Sequence, residues 1–198
     1  MRGPLGRPQI LASSHDVELA ALAASGNRRA FGELVRRHGS AVRALLRRMG
    51  ADPALADDMA QDAFLVAFEQ ITEFRGEGAF AGWVRRIAAR LYIKRCRRDA
   101  RTDLMALTPE PDAAGRPDGQ IASNGRIDLD QALGCLSKAE RLCVSLCYGA
   151  GLSHTETAEA LNTPLGTVKS HVRRGLDKLR ARLDADGHAA ATEGRIDD

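Results

Sequence analysis

Apolar positions in this chain recur every three or four residues and scarcely ever alternate, so the pattern predicts helices rather than strands. A first apolar face, Leu19, Leu22 and Ala23, begins after Asp16. A longer one runs through Phe31, Leu34, Val35, Val42, Leu45 and Leu46 and breaks at Gly50. Asp52 and Pro53 open a third helix carrying Leu55, Met59, Ala63, Phe64, Val66, Ala67 and Ile71. The two glycines in Phe74-Arg75-Gly76-Glu77-Gly78-Ala79-Phe80 interrupt the period and predict an exposed loop. The period resumes at Phe80, with Trp83, Ile87, Leu91 and Tyr92 inward and the arginines outward. It returns once more from Ile127 through Leu133 and from Leu136 to Tyr148, ahead of Gly149 and Gly151.

The stretch from Asn162 to Leu179, NTPLGTVKSHVRRGLDKL, separates an apolar side from a basic one. Val168, Val172, Leu176, Leu179 and Leu183 recur at spacings of four, four, three and four, one stripe of a helix. At about 100° per residue, the opposite side centres on Ser170 and Arg174, with Thr167 and Asp177 beside them and Arg173 and His171 flanking. Thr163 is placed to cap this helix, Pro164 suits its first position, and Gly166 leaves room beside the backbone. Just upstream, Ser153 caps a shorter helix, His154 to Leu161, in which Glu156 completes a capping box and Ala158 and Leu161 face inward. A short helix, a tight turn and a longer basic helix follow the order of a helix-turn-helix, which implies contact with duplex DNA. The plainer reading is an amphipathic helix whose basic side is only solvated.

A chain of 198 residues holds one large domain or two small ones, and an apolar content of 44% with only 4% aromatics fits an all-α class. Pro109, Pro111 and Pro117 with Gly115, Gly119 and Gly125 mark a poorly apolar stretch that reads as a flexible linker. The expected plan is two small helical domains joined by that linker, the second containing the helix-turn-helix. Residues 1–14 form a flexible arm, 15–101 the first domain, 102–126 the linker, 127–184 the second domain and 185–198 a flexible tail.

A formal net charge of +3 is too mild to identify a nucleic-acid binder, but its distribution is informative. Arg85, Arg86, Arg90, Lys94, Arg95, Arg97, Arg98 and Arg101 oppose only Asp99, and Lys169, Arg173, Arg174, Lys178, Arg180 and Arg182 oppose only Asp177. Each half therefore carries one basic block. No apolar run reaches the roughly 18 residues of a membrane span, and the N-terminal residues lack the apolar core of a signal peptide. A cytoplasmic protein with reduced thiols is expected. Cys143 and Cys147 are four apart on a helix, a spacing that fits two metal ligands with Cys135 or His154 as further ones. The simpler reading packs both as small hydrophobes beside Leu142 and Leu146. No P-loop, catalytic carboxylate pair or nucleophile-base motif stands in the sequence, so neither an enzyme nor a cofactor is expected.

Two separated stretches carry a family resemblance. ADDMAQDAFLVAFE (Ala56 to Glu69) with FRGEGAFAGWVRRIAARLYIKRCRR (Phe74 to Arg98) resembles region 2 of the sigma factors of bacterial RNA polymerase. LSKAERLCVSLCYGAGLSHTETAEALNTPLGTVKSHVRRGLDKLRARL resembles region 4. Their direct joining resembles the extracytoplasmic-function (ECF) group of the sigma-70 family. The resemblance implies a promoter-specificity subunit with three kinds of partner: core RNA polymerase, promoter DNA and an anti-sigma factor.

Laid on these residues, the family implies that Asp58, Gln61 and Phe64 dock on the polymerase, with Asp57 and Asp62 adding charge against a basic surface. Near a helix start such acids also complement the dipole, which explains Asp52 better than Asp62. Phe74, Arg75 and Phe80 are implied at the pocket for an unpaired base of the minus-ten element, with Arg86, Arg90, Lys94 and Arg97 on phosphates. Trp83 invites a stacking role, but its place on the stripe with Ile87 assigns it to the core. For the minus-35 element, Thr167, Ser170 and Arg174 are implied at base edges and Lys169, Arg173 and Lys178 at phosphates.

Three positions depart from the family pattern. Arg90 and Lys94 stand where asparagine and aspartate are frequent, so a minus-ten preference does not transfer, and Thr157 stands where isoleucine is usual, which weakens helix packing. Two other functions fit parts of the pattern. A sigma-like decoy that only binds an anti-sigma factor would have little reason to keep both basic blocks. A stand-alone helix-turn-helix regulator would bind a palindromic duplex without polymerase.

Overall fold

A computed structural model of the chain describes residues 11, 13–76, 78–102 and 129–193. Every regular element among them is helical, and the chain divides into two units, Met1–Arg47 with Ala51–Arg98 and Arg48–Gly50 with Asp99–Asp198.

The first unit is built from α1 (Asp16–Ala24), all but the end of α2 (Arg28–Met49), α3 (Pro53–Glu69), a 3-10 turn (Ile71–Glu73) and all but the end of α4 (Phe80–Thr102). The starts of its helices follow from side-chain chemistry. Asn27 Oδ1 accepts from the amides of Arg29 and Ala30 at 3.1 and 3.3 Å, and Asp52 Oδ1 accepts from Leu55 at 3.0 Å with Pro53 in the first turn. Gly26, at φ 95°, turns the chain between α1 and α2, a conformation that strains any residue with a Cβ. Leu19, Leu34, Val42, Leu46, Phe80 and Val84 are fully buried, each contributing about 1.5–3 kcal/mol by leaving water. Phe31 of α2 meets Phe64 and Phe68 of α3 edge-on, with ring centroids 6.5 and 4.9 Å apart.

Arg37 of α2 gathers the residues ahead of α1. Its guanidinium donates to the carbonyls of Leu11 and Ser14 at 3.0 and 2.8 Å and to Asp16 Oδ1 at 3.0 Å, while His38 Nε2 lies 2.7 Å from Asp16 Oδ2. Leu11 and Ser14, read from the sequence as part of a flexible arm, are thus held against the unit.

The inward stripe of α4 is Phe80, Val84, Ala88, Ala89, Tyr92 and Ile93. The periodicity predicts Trp83, Ile87, Leu91 and Tyr92 inward; Tyr92 is buried, but the other three are only half-buried. The two stripes lie one residue apart on the helix, and the alanines at 88 and 89 carry less apolar signal than the bulkier residues beside them. Leu22 likewise turns outward, 39% exposed.

The second unit comprises α5 (Leu129–Leu133), α6 (Lys138–Val144) continuing into a π turn (Ser145–Gly149), α7 (His154–Leu161) and α8 (Leu165–Glu193). Cys143 of α6, Ala158 of α7 and Val168 and Val172 of α8 form one buried cluster, flanked by Cys147, Leu161 and Leu176. Leu133, Leu136 and Val144 form another, with Leu179 packed against it. The Ser153–Glu156 capping box forms as expected, at 2.8 and 3.1 Å. Asn162 ends α7 in the left-handed conformation, φ 51° and ψ 46°, making the turn into α8.

Three local expectations are corrected in α8, while Gly166 does have room beside it. The carbonyl of Pro164 accepts the first amides, from Thr167 and Val168 at 2.9 and 3.2 Å, whereas the Thr163 hydroxyl donates back to Leu161. Gly166 stands in open space, so no neighbour demands a glycine there. Leu183, read as inward, is 42% exposed because the helix has by then outrun the helices it packs on. Finally, helix continues to Glu193 through residues expected to be a tail. The expected linker lies outside the described residues apart from position 102, the last of α4.

Candidate nucleic-acid interface

On α3, Asp57, Asp58, Gln61 and Asp62 project into solvent, opposite the buried Ala56, Met59, Ala60 and Ala63. Arg43 Nε lies 3.5 Å from Asp57 Oδ1, so α2 meets part of this charge inside the unit. Phe64 does not join the acids. It is 6% exposed, and its ring serves the aromatic contact with Phe31, so it is a core residue.

Beside this helix, Phe74, Phe80 and Trp83 make a tight aromatic trio with centroids 5.5 to 5.7 Å apart. Phe80, expected at an exposed pocket, is its buried member and touches no solvent, because it leads the inward stripe of α4. Phe74 and Trp83 lie half-buried over it, and Arg75 is exposed. The accessible aromatic surface is therefore that of Phe74 and Trp83, the reverse of the sequence assignment for Phe80 and Trp83. Gly76 and Gly78, at φ 74° and 102°, turn the backbone here through conformations that favour glycine.

Arg86, Arg90, Lys94 and Arg97 are exposed along one stripe of α4. Like charges four apart on a helix repel by a few tenths of a kcal/mol per pair. Such a stripe is ill suited to stabilising a helix and well suited to an anionic ligand.

In the second unit, α8 sorts its residues cleanly. Val168, Val172 and Gly175 are buried, while Thr167, Lys169, Ser170, Arg173, Arg174 and Lys178 are exposed. Gly175 is buried because α6 crosses there: a Cβ at this position would sit 2.9 Å from Val144 Cγ2 and 3.5 Å from Glu140 Cβ. Half-buried His171 takes a contact of 3.2 Å from Arg174 Nη2 at its Nδ1. Burial, and then the Arg174 charge, hold His171 below its ordinary pKa, with Glu140 opposing, which favours the neutral ring as acceptor.

Glu140 is not among the residues that the sequence pattern singles out, yet its carboxylate comes up from α6 beneath this face. It closes a capping box with Ser137, whose amide donates to Oε2 at 3.0 Å, and the same oxygen accepts from Lys178 Nζ at 2.9 Å. Arg174 Nε lies 4.0 Å from Oε1. Burial raises the cost of ionising this carboxyl, but the hydrogen bonds from Lys178 and Ser137 outweigh it and hold its pKa below the ordinary value. Lys178, assigned to phosphate by the resemblance, is thus engaged within its own unit. The Ser137-x-x-Glu140 spacing is a legible capping signal, though nothing in it announces Lys178 as a partner.

The thiols beneath the face are apolar in character. Burial, then the neighbouring Cys147, push the Cys143 thiol up to about 11. Burial also raises Cys147, although its sulfur lies 3.5 Å from Thr157 Oγ1. Thr157 is completely buried, so its hydroxyl finds a partner in the sulfur where an aliphatic side chain would need none. Among the described residues no three His, Cys, Asp or Glu side chains converge as a metal set. No helix among them is long and apolar enough to cross a membrane.

Comparisons with known proteins agree with this division. Residues 34–102 match the family Sigma-70 region 2, and residues 132–181 match Sigma-70, region 4. The ECF RNA polymerase sigma factor SigE of Mycolicibacterium smegmatis is 35% identical over 156 residues, covering 76% of this chain and 60% of its own length. The RNA polymerase sigma factor NccH of Alcaligenes xylosoxydans xylosoxydans is 34% identical over 179 residues, covering 87% of this chain and 96% of its own. Among solved structures, CnrH in complex with the cytosolic domain of CnrY shares 33% identity at a TM-score of 0.50, covering 86% of this chain and 98% of that one. RpoE, solved with the anti-sigma factor NepR from Bartonella quintana, has a TM-score of 0.52 over 79% of this chain and 98% of its own. At 22% identity that likeness is one of fold. With both sigma regions matched in order, and a relative at 34% identity aligned over nearly its whole length, the chain belongs to the sigma-70 family, as a sigma factor of the extracytoplasmic-function type.

Proposed function

We propose that this chain works as a promoter-specificity subunit, carrying bacterial RNA polymerase to its start sites. The acidic side of α3, with Asp57, Asp58, Gln61 and Asp62, docks on a basic surface of the polymerase. The α4 stripe of Arg86, Arg90, Lys94 and Arg97 follows the phosphates of the opened minus-ten strand, and Phe74, Arg75 and Trp83 meet its unpaired bases. In the second unit, Thr167, Ser170 and Arg174 read base edges of the minus-35 duplex while Lys169 and Arg173 hold phosphates. No group on the chain has to break a covalent bond for this task, and its place of action is the cytoplasm, where the polymerase works.

The observation that carries the reading is α8, whose buried Val168, Val172 and Gly175 leave a face of polar and cationic side chains outward. An anti-sigma partner belongs to the same reading, supported by the related CnrH having been solved with the cytosolic domain of CnrY. The test is run-off transcription on genomic fragments with core polymerase, with and without the purified protein. Start sites that depend on the protein are expected, and no RNA from any template overturns the reading. Gel shifts with and without core enzyme separate it from a stand-alone regulator, which binds duplex unaided.

A further inference from the structure

Glu140 stands out from the other acids of the second unit. The other capping-box glutamate of this unit, Glu156, is only half-buried. The Glu140 side chain is 3% exposed, and its charge lies under the basic face of α8, where it faces two cations one helical turn apart. Lys178 Nζ is hydrogen-bonded to it at 2.9 Å, and Arg174 Nε is within ion-pair distance at 4.0 Å. The far side of the Arg174 guanidinium touches His171 Nδ1 at 3.2 Å. Gly175, between the two cations, allows the approach: a Cβ there would stand 3.5 Å from that of Glu140 and only 2.9 Å from Val144 Cγ2.

We infer that Glu140 is a positioning residue for promoter selectivity: from α6 it restrains Arg174 for base recognition and holds Lys178 away from phosphate. The inference rests on α8 being the DNA-reading helix, as proposed above. A long cation that is free in solution must lose rotamer freedom when it settles on a base edge. Arg174, with Glu140 on one side and His171 on the other, has fewer orientations to give up, which is how preorganisation converts contacts into discrimination. A buried anion beneath a phosphate-facing surface has the opposite effect on indiscriminate binding, because it repels the backbone and occupies one cation. Glu140 therefore lowers general affinity and raises selectivity together, a split that a purely structural residue would not produce.

The test uses full-length protein with core polymerase and a pool of promoter-length duplexes randomised across the upstream element. Wild-type holoenzyme first defines the preferred sequence; if it selects nothing, the promoter-reading proposal itself fails and the role of Glu140 falls with it. With Glu140→Gln, discrimination at the base pairs under Arg174 is expected to fall about tenfold, within the range of a bidentate contact. Binding to an unselected duplex stays equal or tightens, and its log–log salt slope steepens by about 0.9 as Lys178 is released to a phosphate. Unchanged discrimination overturns the inference, as does a loss of selected and unselected binding in equal proportion with the helix content intact. Should Glu140→Gln melt the unit, the double variant Glu140→Gln/Lys178→Met replaces the pair by neutral groups. It is expected to keep the reduced discrimination and return the salt slope to the wild-type value. Wild-type discrimination in that variant refutes the positioning role.

Discussion

Two glycines of α8 should answer the same substitution with opposite signs. Glycine inside a helix costs about 0.8–1.0 kcal/mol relative to alanine, so Gly→Ala is favourable where space permits. At Gly166 the added methyl meets nothing within 4 Å, and its φ lies outside the left-handed region. Gly166→Ala should stabilise by a few tenths of a kcal/mol, less than the interior value because the site is in the first turn. At Gly175 the methyl arrives 2.9 Å from Val144 Cγ2, well inside the 3.5–4.0 Å optimum for carbon pairs. Val144 is β-branched and 6% exposed, so it has no other rotamer to take up, and relief requires α6 to back away from α8. Such overpacking costs about 1–3 kcal/mol, which exceeds the propensity gain. A net loss of about 1 kcal/mol is expected for Gly175→Ala, or about 4–8 °C in the midpoint of a unit this size. Far-UV circular dichroism on urea and thermal unfolding of the full chain measures both variants, and hydrogen exchange in α6 and α8 localises the effect. A Gly175→Ala protein as stable as wild type would refute the packing argument, and with it the claim that a glycine is needed for α6 to approach this face.

Two further outcomes follow from the first unit. Phe64→Ala should cost about 3–5 kcal/mol of stability and lower polymerase binding only in step with unfolding, whereas exposed Asp58→Ala should hold stability within about 0.5 kcal/mol and still weaken binding. Pull-down with core polymerase beside thermal midpoints separates the two, and a stable Phe64→Ala protein that cannot bind would return Phe64 to the docking surface. Hydrogen bonds from Arg36 and then Arg37 hold the Glu33 pKa at about 2 against an ordinary 4.5. A depressed carboxylate contributes fully above its unfolded value and loses its contribution as pH falls toward the folded one. Glu33→Gln should therefore lower stability most at neutral pH, the deficit from wild type shrinking as pH falls from about 4.5 to 2 and so flattening the acid side of the curve, and an unaltered acid limb in thermal midpoints across that window contradicts the pairing.

The helical class, the α7–α8 turn and the outward basic residues of α8 were readable because each rests on local spacing, which a chain carries in one dimension. Three features were not. Phe80 and Trp83 exchanged places because periodicity ranks faces by apolar bulk, and Ala88 and Ala89 mark the inward side of α4 only once neighbouring helices press close. Phe64 lies on the same helix as the docking acids, and only its burial against the ring of Phe31 shows that it points away from them. Glu140 and Lys178 are 38 residues apart. No spacing rule connects them, so a pair that changes the role of a cation on the reading face emerges only when α6 and α8 are packed together.

The Arg37 clasp bears on how the molecule is made. Its acceptors at Asp16 and Leu11 precede it by 21 and 26 residues, so a chain growing on the ribosome releases the leading segment well before the guanidinium that fastens it. Unit 1 therefore cannot assemble strictly from its front end. The second helix must emerge first, and the opening residues then fold back on it, closing a loop whose entropic cost grows only slowly with its length.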